Sequence, residues 1–323
     1  MATAAATSQE AVAFIGLGVM GYNMAVNLRT KLPKEKTLVI CDVSEEALSK
    51  FQEQTGKFGP VVVAKNGAEA IQKADTILTV LPNDAACESV WLDPANGILA
   101  GVKQSNSKNP KIAMECGTMS LEIINKIRDA SSSSSSSRSG LTFIDAPISG
   151  GPLGAKAGTL TVMVGCEESI FPVVKPLLEY MGTSIRRCGE VGSGTAFKTI
   201  NNYMSITQVL VASEALNIGA KLNLDMKDLI DTINSSSGQS WITSKNNPVP
   251  GITLGGAASN GYNGGFRLEL GQKDLKLGVR LAEMAGAKPL LSLETLKVLD
   301  QVSSDPRYAG KDLRVVYKWL NEQ

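Results

Sequence analysis

Apolar residues fall along this chain in two regimes. As far as Arg187, short β-branched apolar runs alternate with helix-periodic stretches. The runs are Ala11-Val-Ala-Phe-Ile15, Thr37-Leu-Val-Ile-Cys41, Ala74-Asp-Thr-Ile-Leu-Thr-Val-Leu81, Lys111-Ile-Ala-Met-Glu115, Leu141-Thr-Phe-Ile-Asp145 and Thr159-Leu-Thr-Val-Met-Val-Gly165. Each reads as a strand, and the alternation predicts a doubly wound, mostly parallel α/β sheet. Beyond Arg187 the strand pattern stops, and helical periodicity covers 195–221, 226–235, 273–285 and 291–301. The pattern therefore predicts a sheet domain over 1–188 and an all-α domain over 189–323, joined by a long interdomain helix. The part of that helix at 206–220 is apolar on more than one face, which predicts burial on several sides, against the domains and a partner subunit. Gln208, Glu214 and Asn217 interrupt it too often for a membrane span.

The end of the first strand carries candidate chemistry. Gly16-Leu-Gly-Val-Met-Gly21 has dinucleotide-binding spacing: Gly16 for the tight turn, Gly18 for approach of a pyrophosphate, Gly21 for close packing of helix on strand. The helix that follows would aim its N-terminal N–H groups at the phosphates. Asp42 ends the second strand about twenty residues past the last glycine, where a Rossmann-type fold puts an acid on the adenosine ribose hydroxyls. Its charge favours NAD over NADP, because a 2′-phosphate would meet a like charge. Ligands of such sheets lie beyond the carboxyl ends of the strands. That gathers Leu81-Pro82, Gly117-Thr118 and Ser149-Gly-Gly151 at one crevice.

Composition removes other classes. The chain has 323 residues, 43% of them apolar, enough for a sizeable core. Its 32 basic and 31 acidic residues are well mixed, so neither nucleic acid nor an anionic membrane is an expected partner. The first nine residues are too short and polar for a secretory signal and lack the arginines of a mitochondrial presequence. Cys41, Cys87, Cys116, Cys166 and Cys188 show no CxxC spacing and read as reduced, mostly buried thiols, with no metal expected. Ser131 to Ser137 reads as a surface loop after a helix over 121–130. Histidine is absent altogether, so another residue must move any catalytic proton.

Two segments offer that chemistry. Asp145-Ala-Pro-Ile-Ser-Gly-Gly151 follows a strand, and its adjacent glycines can turn consecutive N–H groups toward a carboxylate, with the Ser149 hydroxyl as a further donor. Gly192-Ser-Gly-Thr-Ala-Phe-Lys198 puts a lysine early in the long helix, with Asn202 on the same face at i+4. The positive dipole end and desolvation both disfavour an ammonium there, so the amine can take a proton from an alcohol. Lys273, near the start of a later helix, is a second candidate, or else a surface lysine paired with Asp274.

Taken in order, these four motifs resemble the β-hydroxyacid dehydrogenase family over nearly the whole chain. The resemblance implies that Gly16, Leu17, Gly18, Val19, Met20, Gly21, Asp42, Leu81, Pro82, Thr118 and Lys273 meet NAD. It implies that Ser149, Gly150, Gly151 and Asn202 hold a small hydroxy acid and that Lys198 assists proton transfer. Ser236-Ser-Gly-Gln-Ser-Trp241, Asn247-Pro-Val-Pro-Gly251 and Asn263-Gly-Gly-Phe266 resemble the branch that oxidises 3-hydroxyisobutyrate, with Trp241 and Phe266 against the substrate's methyl branch. A homodimer or homotetramer and a mitochondrial matrix location, in valine breakdown, go with the resemblance. The N-terminus leaves a cytoplasmic location open. Two departures stand out: Val19, where the branch often has asparagine, and the serine run.

Other readings of the same residues are a sister enzyme reducing glyoxylate, succinic semialdehyde or tartronate semialdehyde with NAD(P)H, a non-catalytic NAD(P)-binding scaffold, and an imine-reducing relative. Asp42 argues against NADPH. Lys198 and Ser149-Gly-Gly151 argue against the other two.

Overall fold

The computed structural model describes residues 11–105, 109–133 and 140–323. The chain forms two compact units, Met1–Lys198 and Thr199–Gln323.

In the first unit six strands lie parallel: β1 (Ala11–Ile15), β2 (Thr37–Cys41), β3 (Val61–Val63), β4 (Thr76–Thr79), β5 (Lys111–Glu115) and β6 (Leu141–Asp145). Their order is β3-β2-β1-β4-β5-β6, with the reversal of direction beside β1 that marks a ligand crevice in doubly wound sheets. β7 (Ile148–Ser149) and β8 (Leu160–Gly165) extend the sheet, β8 running antiparallel to both β6 and β7. β9 (Gly182–Gly189) then pairs parallel to β8.

The helices of this unit are α1 (Gly21–Lys31), α2 (Glu45–Thr55), α3 (Gly67–Lys73), α4 (Asp84–Leu92), α5 (Ile98–Gln104), α6 (Leu121–Ser133), α7 (Gly151–Ala157) and α8 (Phe171–Leu178). Ser44, Asn66 and Asn83 cap α2, α3 and α4 by accepting a backbone N–H three residues on.

Strand alternation explains why these runs carry apolar residues at both odd and even positions. Val12 and Phe14, Leu38 and Ile40, Leu78, Met114 and Ile144 pack into the core on one face of the sheet. Ala13 and Ile15, Val39 and Cys41, Ile77, Ala113 and Phe143 pack into a second core on the other. A sheet covered on both faces needs no polar positions in its central strands.

Several features depart from the sequence expectations; β3 and β7, three and two residues long, are not among the strands read from the pattern. β9 lies beyond the strands read from the pattern, and Gly182-Thr-Ser-Ile-Arg-Arg-Cys-Gly189 has no apolar run because the strand pairs only with β8 and most of its residues are partly solvated. The helix expected over 121–130 continues to Ser133, so the first serines of the run are helical rather than loop. Ser131 and Ser132 turn their hydroxyls back onto Ile127 O and Arg128 O, the usual refuge of serine inside a helix. Residues 134–139 of the expected loop lie outside the described residues.

α9 (Ser193–Lys221) starts in the first unit, and its greater part belongs to the second. There it joins α10 (Met226–Asn234), α11 (Trp241–Lys245), α12 (Leu268–Met284), α13 (Leu290–Ser304) and α14 (Val315–Asn321). Ile206, Val209 and Leu210 of α9 share a core with Leu268 and Leu275 of α12, Leu299 and Val302 of α13, and Val316. Gly278 is a necessary small residue here, since a Cβ would lie 2.8 Å from the Tyr203 ring.

α9 is apolar on more than one face, as its sequence requires, yet Ile200, Met204, Val211 and Ile218 remain exposed. Among the described residues no helix is long and apolar enough to cross a membrane.

Candidate active site

The glycine loop is held by the fold itself. Gly16 has φ +98°, and a Cβ there would lie 2.3 Å from Val80 O. Gly16 N donates to Cys41 O and Val80 N to Ile15 O, so the loop is stitched to the ends of β2 and β4. A Cβ at Gly21 would lie 1.9 Å from Gly16 O, which is how α1 comes so close to its strand. Gly18 differs: a Cβ there meets nothing within 4 Å. Leu17 buries its side chain, Met20 is half-buried, and Val19 is 73% exposed.

This arrangement fits a dinucleotide. The loop is closed where the protein packs on itself and open at the one glycine where an outside group would approach.

Asp42 follows β2 and accepts two backbone N–H groups, Leu17 N on Oδ2 at 2.5 Å and Ser44 N on Oδ1 at 2.8 Å. Each carboxylate oxygen takes two donors. One on each therefore remains for a ribose hydroxyl while the acid braces the loop.

Leu81 and Thr118 are half-buried beyond β4 and β5, and Pro82 is exposed. Between them lies a residue that the sequence reading passed over. Glu115, the last residue of β5, is fully buried and accepts from Thr79 Oγ1, Trp91 Nε1 at 3.1 Å, Cys87 Sγ at 3.7 Å and Gly117 N at 2.7 Å. Burial pushes its carboxyl above the ordinary range, and these four donors pull against the shift. Glu115 thereby ties together the strand ends that lead to Leu81 and Thr118. Its sequence signal was an acid directly after the apolar residues Ile112, Ala113 and Met114.

The second loop leaves β6 at Asp145. Ser149 is half-buried, and Gly150 and Gly151 have φ +137° and +65°, conformations that glycine adopts without strain. α7 opens at Gly151, and the Asn27 amide of α1 clasps its far end, donating to Ala155 O at 2.8 Å and Lys156 O at 3.2 Å. The helix behind the glycine loop and the helix behind the second loop are thus bonded directly.

Lys198 lies in the second turn of α9 and is 7% exposed. Asn202, one turn on and also buried, donates to Asp274 Oδ2 at 2.7 Å. Asp274 also pairs with Lys273 at 3.3 Å. Asn202 and Lys273, which lie 71 positions apart in sequence, therefore meet through one buried carboxylate. Lys273 is in the second turn of α12 rather than at its start, because the helix begins at Leu268.

Trp241 opens α11 and is 54% exposed. Phe266 is partly buried against the helical core, and its N–H donates to Asp312 Oδ2 at 2.7 Å. The two aromatics stand on separate segments, each held by its own hydrogen bonds. Among the described residues no group of three or more His, Cys, Asp or Glu side chains is arranged to hold a metal ion.

Known proteins share this architecture and sequence. A family model described as the NAD binding domain of 6-phosphogluconate dehydrogenase matches residues 11–191. A second, described as the NAD-binding domain of NADP-dependent 3-hydroxyisobutyrate dehydrogenase, matches 192–320. A probable mitochondrial 3-hydroxyisobutyrate dehydrogenase of Dictyostelium discoideum is 35% identical over 98% of this chain and 92% of its own length. The human mitochondrial 3-hydroxyisobutyrate dehydrogenase is 34% identical over 98% of this chain and 88% of its own. The solved Mycobacterium tuberculosis 3-hydroxyisobutyrate dehydrogenase with L-serine superposes with TM-score 0.82 at 29% identity, covering 97% of this chain and 99% of that one.

Proposed function

Because the chain belongs to the β-hydroxyacid dehydrogenase family, we propose that it oxidises the primary alcohol of 3-hydroxyisobutyrate to methylmalonate semialdehyde with NAD, Lys198 taking the hydroxyl proton. It is a nicotinamide-dependent oxidoreductase. The dinucleotide, when bound, supplies the hydride acceptor. Everything else is done by the chain's own groups. Gly16, Leu17, Gly18, Val19, Met20 and Gly21 cradle the phosphates, and Asp42 holds the ribose and selects NAD. Leu81, Pro82, Thr118 and Lys273 line the cofactor. The N–H groups of Gly150 and Gly151, the Ser149 hydroxyl and Asn202 hold the substrate, while Trp241 and Phe266 contact its methyl branch. Loss of a hydride from the alcohol carbon leaves the hydroxyl proton to the Lys198 amine, so charge and atoms balance.

The observation that carries this reading is a buried lysine, on a helix anchored to the strand that leads into Ser149-Gly150-Gly151, in a chain with no histidine.

The same reading divides the labour between 1–188 for the dinucleotide and 189–323 for substrate and self-association. Ile200, Met204, Val211 and Ile218, exposed along α9, favour a homodimer or homotetramer built on that helix. The relatives are named as mitochondrial enzymes, and a matrix location in valine breakdown goes with the proposal.

Initial rates with 3-hydroxyisobutyrate, L-serine, glycerate, 3-hydroxypropionate and 4-hydroxybutyrate, each with NAD and NADP, test it. We expect kcat/KM for 3-hydroxyisobutyrate with NAD to exceed every other pairing by at least about tenfold, the scale of one methyl group well seated in a pocket. A higher value for L-serine or another acid would overturn the substrate, and no turnover with any acid would overturn the enzyme.

A further inference from the structure

We propose that Asp145 is the positioning residue for Lys198, fixing α9 to the sheet so that the amine stands over the substrate loop. The proposal rests on the reading of Lys198 as proton acceptor.

The first turn of any helix leaves N–H groups without intrahelical partners. In α9 a carboxylate from far off in sequence takes two of the N–H groups at this end. Asp145 Oδ1 accepts from Gly192 N at 2.7 Å and Oδ2 from Thr195 N at 2.6 Å. The Thr195 side chain also favours the charged form of this carboxylate, against the upward push of its burial. Asp145 is completely buried, so these donors take the place of water around its charge.

The surroundings are cut to fit. A Cβ at Gly165 would lie 2.1 Å from Asp145 Oδ1. One at Gly194 would lie 2.2 Å from Met163 O and 3.0 Å from Asp145 O. Glycine at these two positions lets the helix end press onto β6 and β8 with the carboxylate between them.

The same residue begins the substrate loop. Ala146 N donates to Glu115 O at 2.7 Å, so Asp145 is held in register with β5 as the chain turns toward Ser149. Lys198 follows Thr195 by three residues, less than one helical turn and about 4.5 Å along the axis. Any tilt of the first turn is therefore passed to the amine almost undiminished. A displacement of about 1 Å at a reacting group can cost up to 10²-fold in rate.

Asp145→Asn keeps the shape but sets an NH2 against one of the two N–H donors. We expect kcat on 3-hydroxyisobutyrate to fall about tenfold, with the NAD dissociation constant, read by cofactor fluorescence quenching, within about twofold of the parent. Deuterium at the alcohol carbon should then show a larger isotope effect on kcat, since chemistry becomes more rate-limiting. A smaller fraction of correctly folded enzyme would lower kcat and leave that effect unchanged. Added to Lys198→Ala, the same substitution should alter the residual rate by less than about twofold.

An unchanged kcat, an unchanged isotope effect, or an undiminished loss in the Lys198→Ala background would each overturn the proposal. Lys198→Ala turning over at full rate would overturn the lysine reading itself, which separates the two failures. If Asp145→Asn does not fold, Thr195→Val removes only the hydroxyl donor. A drop of about threefold in kcat, absent without Lys198, is then expected, and no drop overturns the proposal.

Discussion

Lys198→Ala should lower kcat for oxidation of the hydroxy acid by about 10²–10⁴-fold, the usual worth of a positioned acid–base group. NAD binding should change by no more than about twofold. Without histidine, no imidazole can accept the hydroxyl proton. Lys198 is buried in the second turn of α9, whereas the glycine loop is braced by Asp42, Val80 and Cys41. Loss of the amine leaves those contacts untouched, so the defect should appear in kcat and not in cofactor affinity. Added primary amines should restore part of the rate, with stronger bases doing better at equal free-base concentration. Turnover within a few-fold of the parent, or loss of NAD binding in step with activity, would sink the assignment.

Asp42→Ala should reduce the preference for NAD over NADP, as a ratio of kcat/KM values, by about 10²-fold. Two effects add. The carboxylate's bond to a ribose hydroxyl disappears for NAD, a charged hydrogen bond worth about 1.5–3 kcal/mol. The like-charge barrier to a 2′-phosphate disappears for NADP. The structure adds a common penalty, because Leu17 N and Ser44 N also lose their acceptor and the loop loses a brace. Both cofactors should therefore bind less well, NAD by much the larger factor. Equal losses for the two cofactors would leave Asp42 a loop brace and remove it from cofactor selection.

The parts of the fold that could be read from sequence are those where one local pattern had one cause. Strands covered on both faces carry mainly apolar residues, and the core faces of α9 and α12 repeat with helical period, so most of the sheet and the long helices were legible. The glycine loop was legible because each glycine answers a steric demand within a few residues of itself. β9 was not, since a strand with a single neighbour has no need of an apolar run. The start of α12 was misplaced by five residues, because Glu269, Gly271 and Gln272 interrupt the apolar periodicity before Lys273.

In the site, residue types were legible and partners were not. Asp145 meets Thr195 across 50 positions, and Asn202 meets Asp274 across 72. Such meetings are decided by which strand end faces which helix, and no periodicity records that. Glu115 escaped for the same reason, since its donors come from a neighbouring strand, from α4 and from the turn after β5.

The three loop glycines also foretell how a variant library would sort. Alanine at Gly16 or Gly21 collides with backbone oxygens of the chain itself, so cells should contain little of either variant. Alanine at Gly18 collides with nothing in the protein and should accumulate at parental abundance. Scored for turnover, however, all three should fail alike. A screen that ranks variants by soluble expression would pass Gly18→Ala as harmless, and only a screen that ranks them by chemistry would single out the one loop glycine whose open side faces no atom of the protein.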